Sequence, residues 1–163
     1  MRKAKIEINE NIYYGYLTIG KLMDVKENYP YSYSDFANKA IDGDTQILSD
    51  LIYESLEDKS VYSLLLKLSE AERFAILKVY ANALLKLTFP VSENAENEDD
   101  EDEFEDMPTK KNDDEWDIPW MQYIWETVLK RGDFYEITPK MFHEQFEIHK
   151  KLNNISEKKT EVL

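Results

Sequence analysis

The run His143-Glu144-Gln145-Phe146-Glu147 holds the residue types in this chain that come closest to a known chemistry. A helix reading H-E-x-x-H sets two imidazoles one turn apart on one face, where they hold zinc and the glutamate serves as base. Here the fifth position is Glu147, and the other histidine of the chain, His149, falls outside that spacing. A surface or core-edge role for both histidines is what remains. Asp42-Gly43-Asp44 matches the opening of a calcium loop but lacks the oxygen ligands of the later positions, so it reads as a turn. With no cysteine there is no thiolate nucleophile, no serine sits in a G-x-S-x-G elbow, and the four glycines are scattered, not gathered into a phosphate-cradling loop. Among 34 acidic residues no carboxylate pair stands out for acid–base work. The sequence thus offers no catalytic residue, no metal site and no cofactor site, and a non-enzymatic role is expected.

Composition narrows the partners. Hydrophobic residues make up 42% of the chain and aromatics 13%, enough for a packed core despite a mean hydropathy of −0.62. The lack of cysteine fits a reducing compartment, so the expectation is cytoplasmic, in the host cytoplasm if the chain is viral. Residues 1–11 carry no apolar signal-type run, and no stretch nears the ~20 apolar residues a bilayer span needs, so no membrane role is expected. The net charge is −14, of which residues 93–117, with 14 acidic residues against Lys110 and Lys111, carry −12. The remaining −2 leaves the rest of the chain almost neutral. A chain without clustered lysine and arginine repels phosphate, so nucleic acid is not an expected partner.

The elements read as mainly α. Lys3 to Ile8 alternates polar and apolar residues with period two, Asn9-Glu10-Asn11 reads as a turn, and Ile12 to Ile19 as a returning strand. Gly15 and Gly20 weaken that second strand, so a helix from Ile19 to Lys26 competes with it. Ser32 opens a helix with Phe36, Ala37, Ala40 and Ile41 on one face, and Asp42-Gly43-Asp44 closes it and caps the next, which carries Ile47, Leu48, Leu51, Ile52 and Leu56. Val61 to Leu68 is a short apolar piece. Ser69 and Glu72 then form a capping box for a helix running to about Leu87, apolar around most of its circumference and therefore expected at the centre of the core. The expected organisation is a helical domain with a short β element over residues 1–90, an acidic disordered linker over 91–115, a helical hairpin over 116–152 and a frayed tail over 153–163.

In the hairpin, Asp117 caps a helix with Pro119 in its first turn and a stripe of Trp120, Met121, Ile124, Trp125, Val128 and Leu129, which Gly132 is expected to stop. Thr138-Pro139 opens a last helix with Phe142, Phe146 and His149 on one face. A unit of some 37 residues holding all three tryptophans is too small to bury that surface unaided. It must dock on the first domain or on a partner, and Trp120 and Trp125 can equally fill the hairpin's own core. The candidate protein-binding residues are Trp116, Trp120, Met121, Trp125, Phe142 and Phe146.

The order of parts resembles the tail assembly chaperones of long-tailed bacteriophages, in which a short β element, a small helical domain, an acidic stretch and a second helical module follow one another. The resembling residues are Lys5-Ile6-Glu7-Ile8, the runs Ile47 to Leu56 and Ser69 to Leu87, and Trp116-Asp117-Ile118-Pro119-Trp120-Met121 through Val128-Leu129-Lys130 to Glu136-Ile137-Thr138-Pro139. The resemblance implies a chaperone that coats the aggregation-prone tape-measure protein, recruits tail-tube subunits and self-associates into a homo-oligomer. The alternative is an acidic mimic of nucleic acid that inhibits a host defence protein. A small enzyme with an unfamiliar site is a further rival.

Overall fold

The computed structural model describes residues 2–90 and 116–161, with side chains through residue 153. The expected acidic linker, residues 91–115, lies outside the described residues. The fold is mainly helical with an N-terminal two-stranded antiparallel hairpin. Strands β1 (Ala4–Ile8) and β2 (Asn11–Gly15) pair in a register that places Ile8 opposite Asn11 and Ala4 opposite Gly15. Asn9 and Glu10 form the two-residue loop with φ of 51° and 72°, the left-handed pair that matches the twist of a tight hairpin. Ala4, Ile6 and Ile8 point into the core while Lys5 and Glu7 face out, as the alternation requires.

Strand and helix both occur where they competed in the sequence. β2 stops at Gly15, and α1 (Ile19–Lys26) begins after Thr18, whose hydroxyl accepts the Lys21 N–H at 3.1 Å. Gly15 is the last residue of the strand, and nothing larger fits there. A Cβ would stand 1.8 Å from the Tyr80 hydroxyl and 2.9 Å from the Ser55 carbonyl. Helices α2 (Tyr33–Ile41) and α3 (Thr45–Ser55) follow the expected caps, with Ser32 Oγ accepting from Asp35 N–H and Asp44 Oδ1 from Ile47 N–H, both at 3.1 Å. Gly43 between them takes φ 94°, the left-handed conformation that closes α2. The short α4 (Ser60–Leu66) leads to α5 (Glu70–Thr88), opened by Ser69 Oγ accepting from Glu72 N–H at 3.3 Å.

The second part begins with α6 (Ile118–Tyr123), capped by Asp117 through the Trp120 N–H at 3.1 Å, and continues into a wider π-helical turn over Ile124–Val128. A 3-10 turn, Phe134–Glu136, precedes α7 (Pro139–Glu161), which Thr138 caps by accepting from Met141 N–H at 3.1 Å. α7 continues to Glu161, through the stretch expected to fray; residues 153–161 contain no proline or glycine to stop it.

The two parts share one core. The buried residues form a single cluster that runs from Ala4 and Ile6 through Ile47 and Leu84 to Trp125 and Phe142. α5 packs on β1 and α7, and α1 packs on the 3-10 turn. The Ile19 N–H donates to the Ile137 carbonyl at 2.7 Å, and the Lys140 ammonium donates to the Lys86 carbonyl at the end of α5 at 3.0 Å. A basic group on the last carbonyls of a helix meets its negative end.

Candidate protein-binding surface

The hairpin that carries the tryptophans is closed by its own aromatic rings. Trp125 is 3% exposed, lies 6.3 Å from Phe142, and donates its indole N–H to the Gly132 carbonyl at 2.9 Å. The π-helical turn carries this residue inward: the Leu129 N–H reaches back to Ile124 at 2.8 Å and the Arg131 N–H to Trp125 at 3.0 Å. The chain therefore leaves the helix at Lys130, with φ 55°, and not at Gly132, whose carbonyl is occupied with the indole. Trp116 is buried between Tyr33 of α2, stacked at 6.4 Å, and Phe89 at the end of α5, edge-on at 6.0 Å.

Of the six candidate residues, Trp116, Met121, Trp125 and Phe142 are buried in the folded chain. Trp116 is covered by the first part of the chain and Trp125 and Phe142 by the hairpin's own rings, while the shared core supplies the docking that the small size of the hairpin requires. Trp120 and Phe146 are half-buried and meet each other edge-to-face at 5.4 Å. They, with exposed Tyr123, Tyr135, Ile148 and Leu152, are among the apolar side chains this part of the chain leaves open to a partner.

Further open apolar side chains lie at the end of α4 and in the first half of α5. α5 is not central along its length. Tyr80, Ala81, Leu84, Leu85 and Thr88 in its second half are buried, whereas no residue from Glu70 to Val79 is. The 19-residue helix is ~28 Å long, β1 and α7 pack on it, and all its buried residues lie in its later turns. Phe74 is 68% exposed and Val79 70%, on opposite sides of the helix, with Ile76 and Leu77 half-covered between them. Leu66 is 58% exposed at the end of α4, with Leu64 and Leu68 half-buried near it in sequence. Glu70, Glu72, Lys67 and Lys78 are exposed beside them and give the surface a polar rim of mixed sign. The sequence shows the apolar circumference of this helix, but that pattern alone is the same for a helix packed on all sides and for one that awaits a partner.

The polar interior is spent on structure. The Ser55 hydroxyl donates to the Ile52 carbonyl at 2.7 Å and meets the Tyr80 hydroxyl at 2.6 Å, which locks α3 to α5 beneath Gly15. Burial pushes the Tyr80 phenol up to about 12. Burial and the hydrogen bond to Asp50 likewise raise the Tyr29 phenol. Glu147, the mismatch in the zinc-like run, accepts from Lys150 at 2.6 Å, which lowers its carboxyl below the usual range. Among the described residues no three His, Asp or Glu side chains gather to hold a metal, and no helix is long and apolar enough to cross a membrane. What this arrangement does is present apolar surface on a charged body. The chain matches no protein-family model, no curated protein and no solved structure.

Proposed function

We propose that the chain is a non-catalytic protein-binding chaperone that keeps a long, aggregation-prone helical client soluble, the client being a phage tape-measure protein and the second partner its tail-tube subunits. The observation that carries this reading is the end of α4 and the first half of α5, where Leu66, Phe74 and Val79 stand open on a folded, charged chain. Isolated exposed apolar residues are ordinary, but several spread around the early turns of one helix and the end of the helix before it suit contact with a client that wraps them. The charge supports the same role: a complex that carries −14 per copy resists coalescence with its neighbours. The half-covered pair Trp120 and Phe146 is the surface assigned to the tail-tube subunit, and self-association belongs to the same proposal. The test is co-expression with the tape-measure protein of the same genome. The client is expected in the soluble fraction only when this chain is present, and equal solubility without it overturns the proposal.

A further inference from the structure

Two adjoining hollows, of about 570 and 480 Å³, meet at Arg2 and Leu87 and form one groove along the start of β1, the end of α5 and the start of α7. Four cationic side chains line it, Arg2, Lys3, Lys5 and Lys140, against one carboxylate, Glu144. Lys3 is paired with the Glu57 carboxylate, which offsets its charge, and Lys140 is held by the Lys86 carbonyl, so Arg2, Lys5 and Lys140 carry the positive charge of the groove. A basic groove is unusual for a chain of net −14.

The groove runs beside an open sheet edge. Because Ile8 and Asn11 flank a two-residue loop, the hydrogen-bonded pairs are Ile8–Asn11, Ile6–Tyr13 and Ala4–Gly15. The outer edge of β2 is used, since Tyr14 accepts from the Glu57 N–H at 3.2 Å and Tyr16 donates to the Ser55 carbonyl at 3.0 Å. The amides of Lys5 and Glu7 on β1 point the other way, and among the described residues no backbone group bonds to them. An edge of this kind accepts an extended peptide as a further strand.

We propose that this groove and the β1 edge are the docking site of the chain's own acidic residues 93–115. These carry 13 carboxylates and two lysines, the complement of the groove in charge. Their attachment points are right: the chain departs at Pro90, three residues beyond Leu87, and returns at Trp116, whose ring lies 6.0 Å from that of Phe89. The 25 residues between reach ~80 Å when extended, while β1 is ~17 Å long, so the segment can lie along the groove and come back. Tethering at both ends supplies a local concentration in the millimolar range, far above that of any free acidic peptide. The inference stands apart from the α4–α5 surface and from any client.

The test is zero-length carbodiimide cross-linking of the full chain, mixed from isotopically light and heavy copies and read by peptide mass spectrometry. Lys5 and Lys140 are expected to join carboxylates of residues 93–115 within one copy, with yields that fall several-fold in 0.5 M salt as the attraction is screened. Lys26 is the proximity control. Its ammonium sits 4.7 Å over the Tyr33 ring that stacks on Trp116, near the return point but outside the groove. Yields at Lys5 and Lys140 no higher than at Lys26, or indifferent to salt, overturn the proposal. Cross-links mainly between light and heavy copies overturn it as well, in favour of docking on a second copy.

Discussion

Leu51→Ala separates a one-core protein from two tethered modules. Leu51 is fully buried on α3, which packs on α1 and α2, and every tryptophan lies in the other part of the chain, between residues 116 and 125. Removing a buried leucine side chain costs about 2–5 kcal/mol, the larger values applying where the cavity cannot collapse. With a urea dependence of ~1–3 kcal/mol per molar, the unfolding midpoint should fall by on the order of 1–2 M. Far-UV circular dichroism follows the helices everywhere, while tryptophan fluorescence follows only the C-terminal part. Because α1 is bonded to Ile137 and the α5 end to Lys140, the two signals should coincide in the parent chain and shift together in the variant. A fluorescence transition that stays in place while the dichroism splits into two steps would refute the shared core.

Gly15→Ala should destabilise the chain by about 1–3 kcal/mol through the clash with the Tyr80 hydroxyl, and Tyr80→Phe in the same chain should recover part of that loss in a denaturant titration. The Tyr80 phenol is raised to about 12 in the fold, so its contribution is complete below the ordinary phenol value near 10 and is lost as the pH climbs from there through 12. Thermal or urea unfolding across that window should show about 2–3 kcal/mol of lost stability that the Tyr80→Phe variant lacks. Glu10 and Lys130 hold left-handed backbone that costs a non-glycine residue roughly 1–2 kcal/mol, more than the ~0.4–1 kcal/mol of extra unfolded-chain entropy that glycine brings, so Glu10→Gly and Lys130→Gly should each leave stability unchanged or raise it by up to about 1 kcal/mol in a urea titration.

Local chemistry was readable in this sequence, and long-range burial was not. Ser32, Asp44, Ser69, Asp117 and Thr138 each cap a helix because a short oxygen-bearing side chain ahead of an apolar run has one favourable use, and that use needs no knowledge of the rest of the fold. The same holds for the period-two alternation of β1. Gly132, by contrast, looked like the helix stop, but the extra residue of the π turn moved that position back to Lys130. The tryptophans and the first half of α5 were harder still. An indole buries equally well against its own chain or against a partner, so Trp116 and Trp125 turned inward once Tyr33, Phe89 and Phe142 were beside them. The apolar circumference of α5 suggests a central helix, yet no residue of its early turns is buried.

The proposed client binding through the exposed residues of α4 and α5 is tested most directly by the double substitution Phe74→Ser and Val79→Ser, measured as the fraction of the co-expressed proposed client, the tape-measure protein, that remains soluble. Both side chains are about two-thirds open, so their loss should change the stability of the chain itself by no more than ~0.5 kcal/mol. Covering the open part of Phe74 alone, ~130 Å² at ~25 cal/mol per Å², contributes about 3 kcal/mol to an interface, or roughly a hundredfold in affinity. The expected result is a folded variant whose client pellets. A variant that keeps the client soluble as well as the parent chain does would contradict the assignment of this surface.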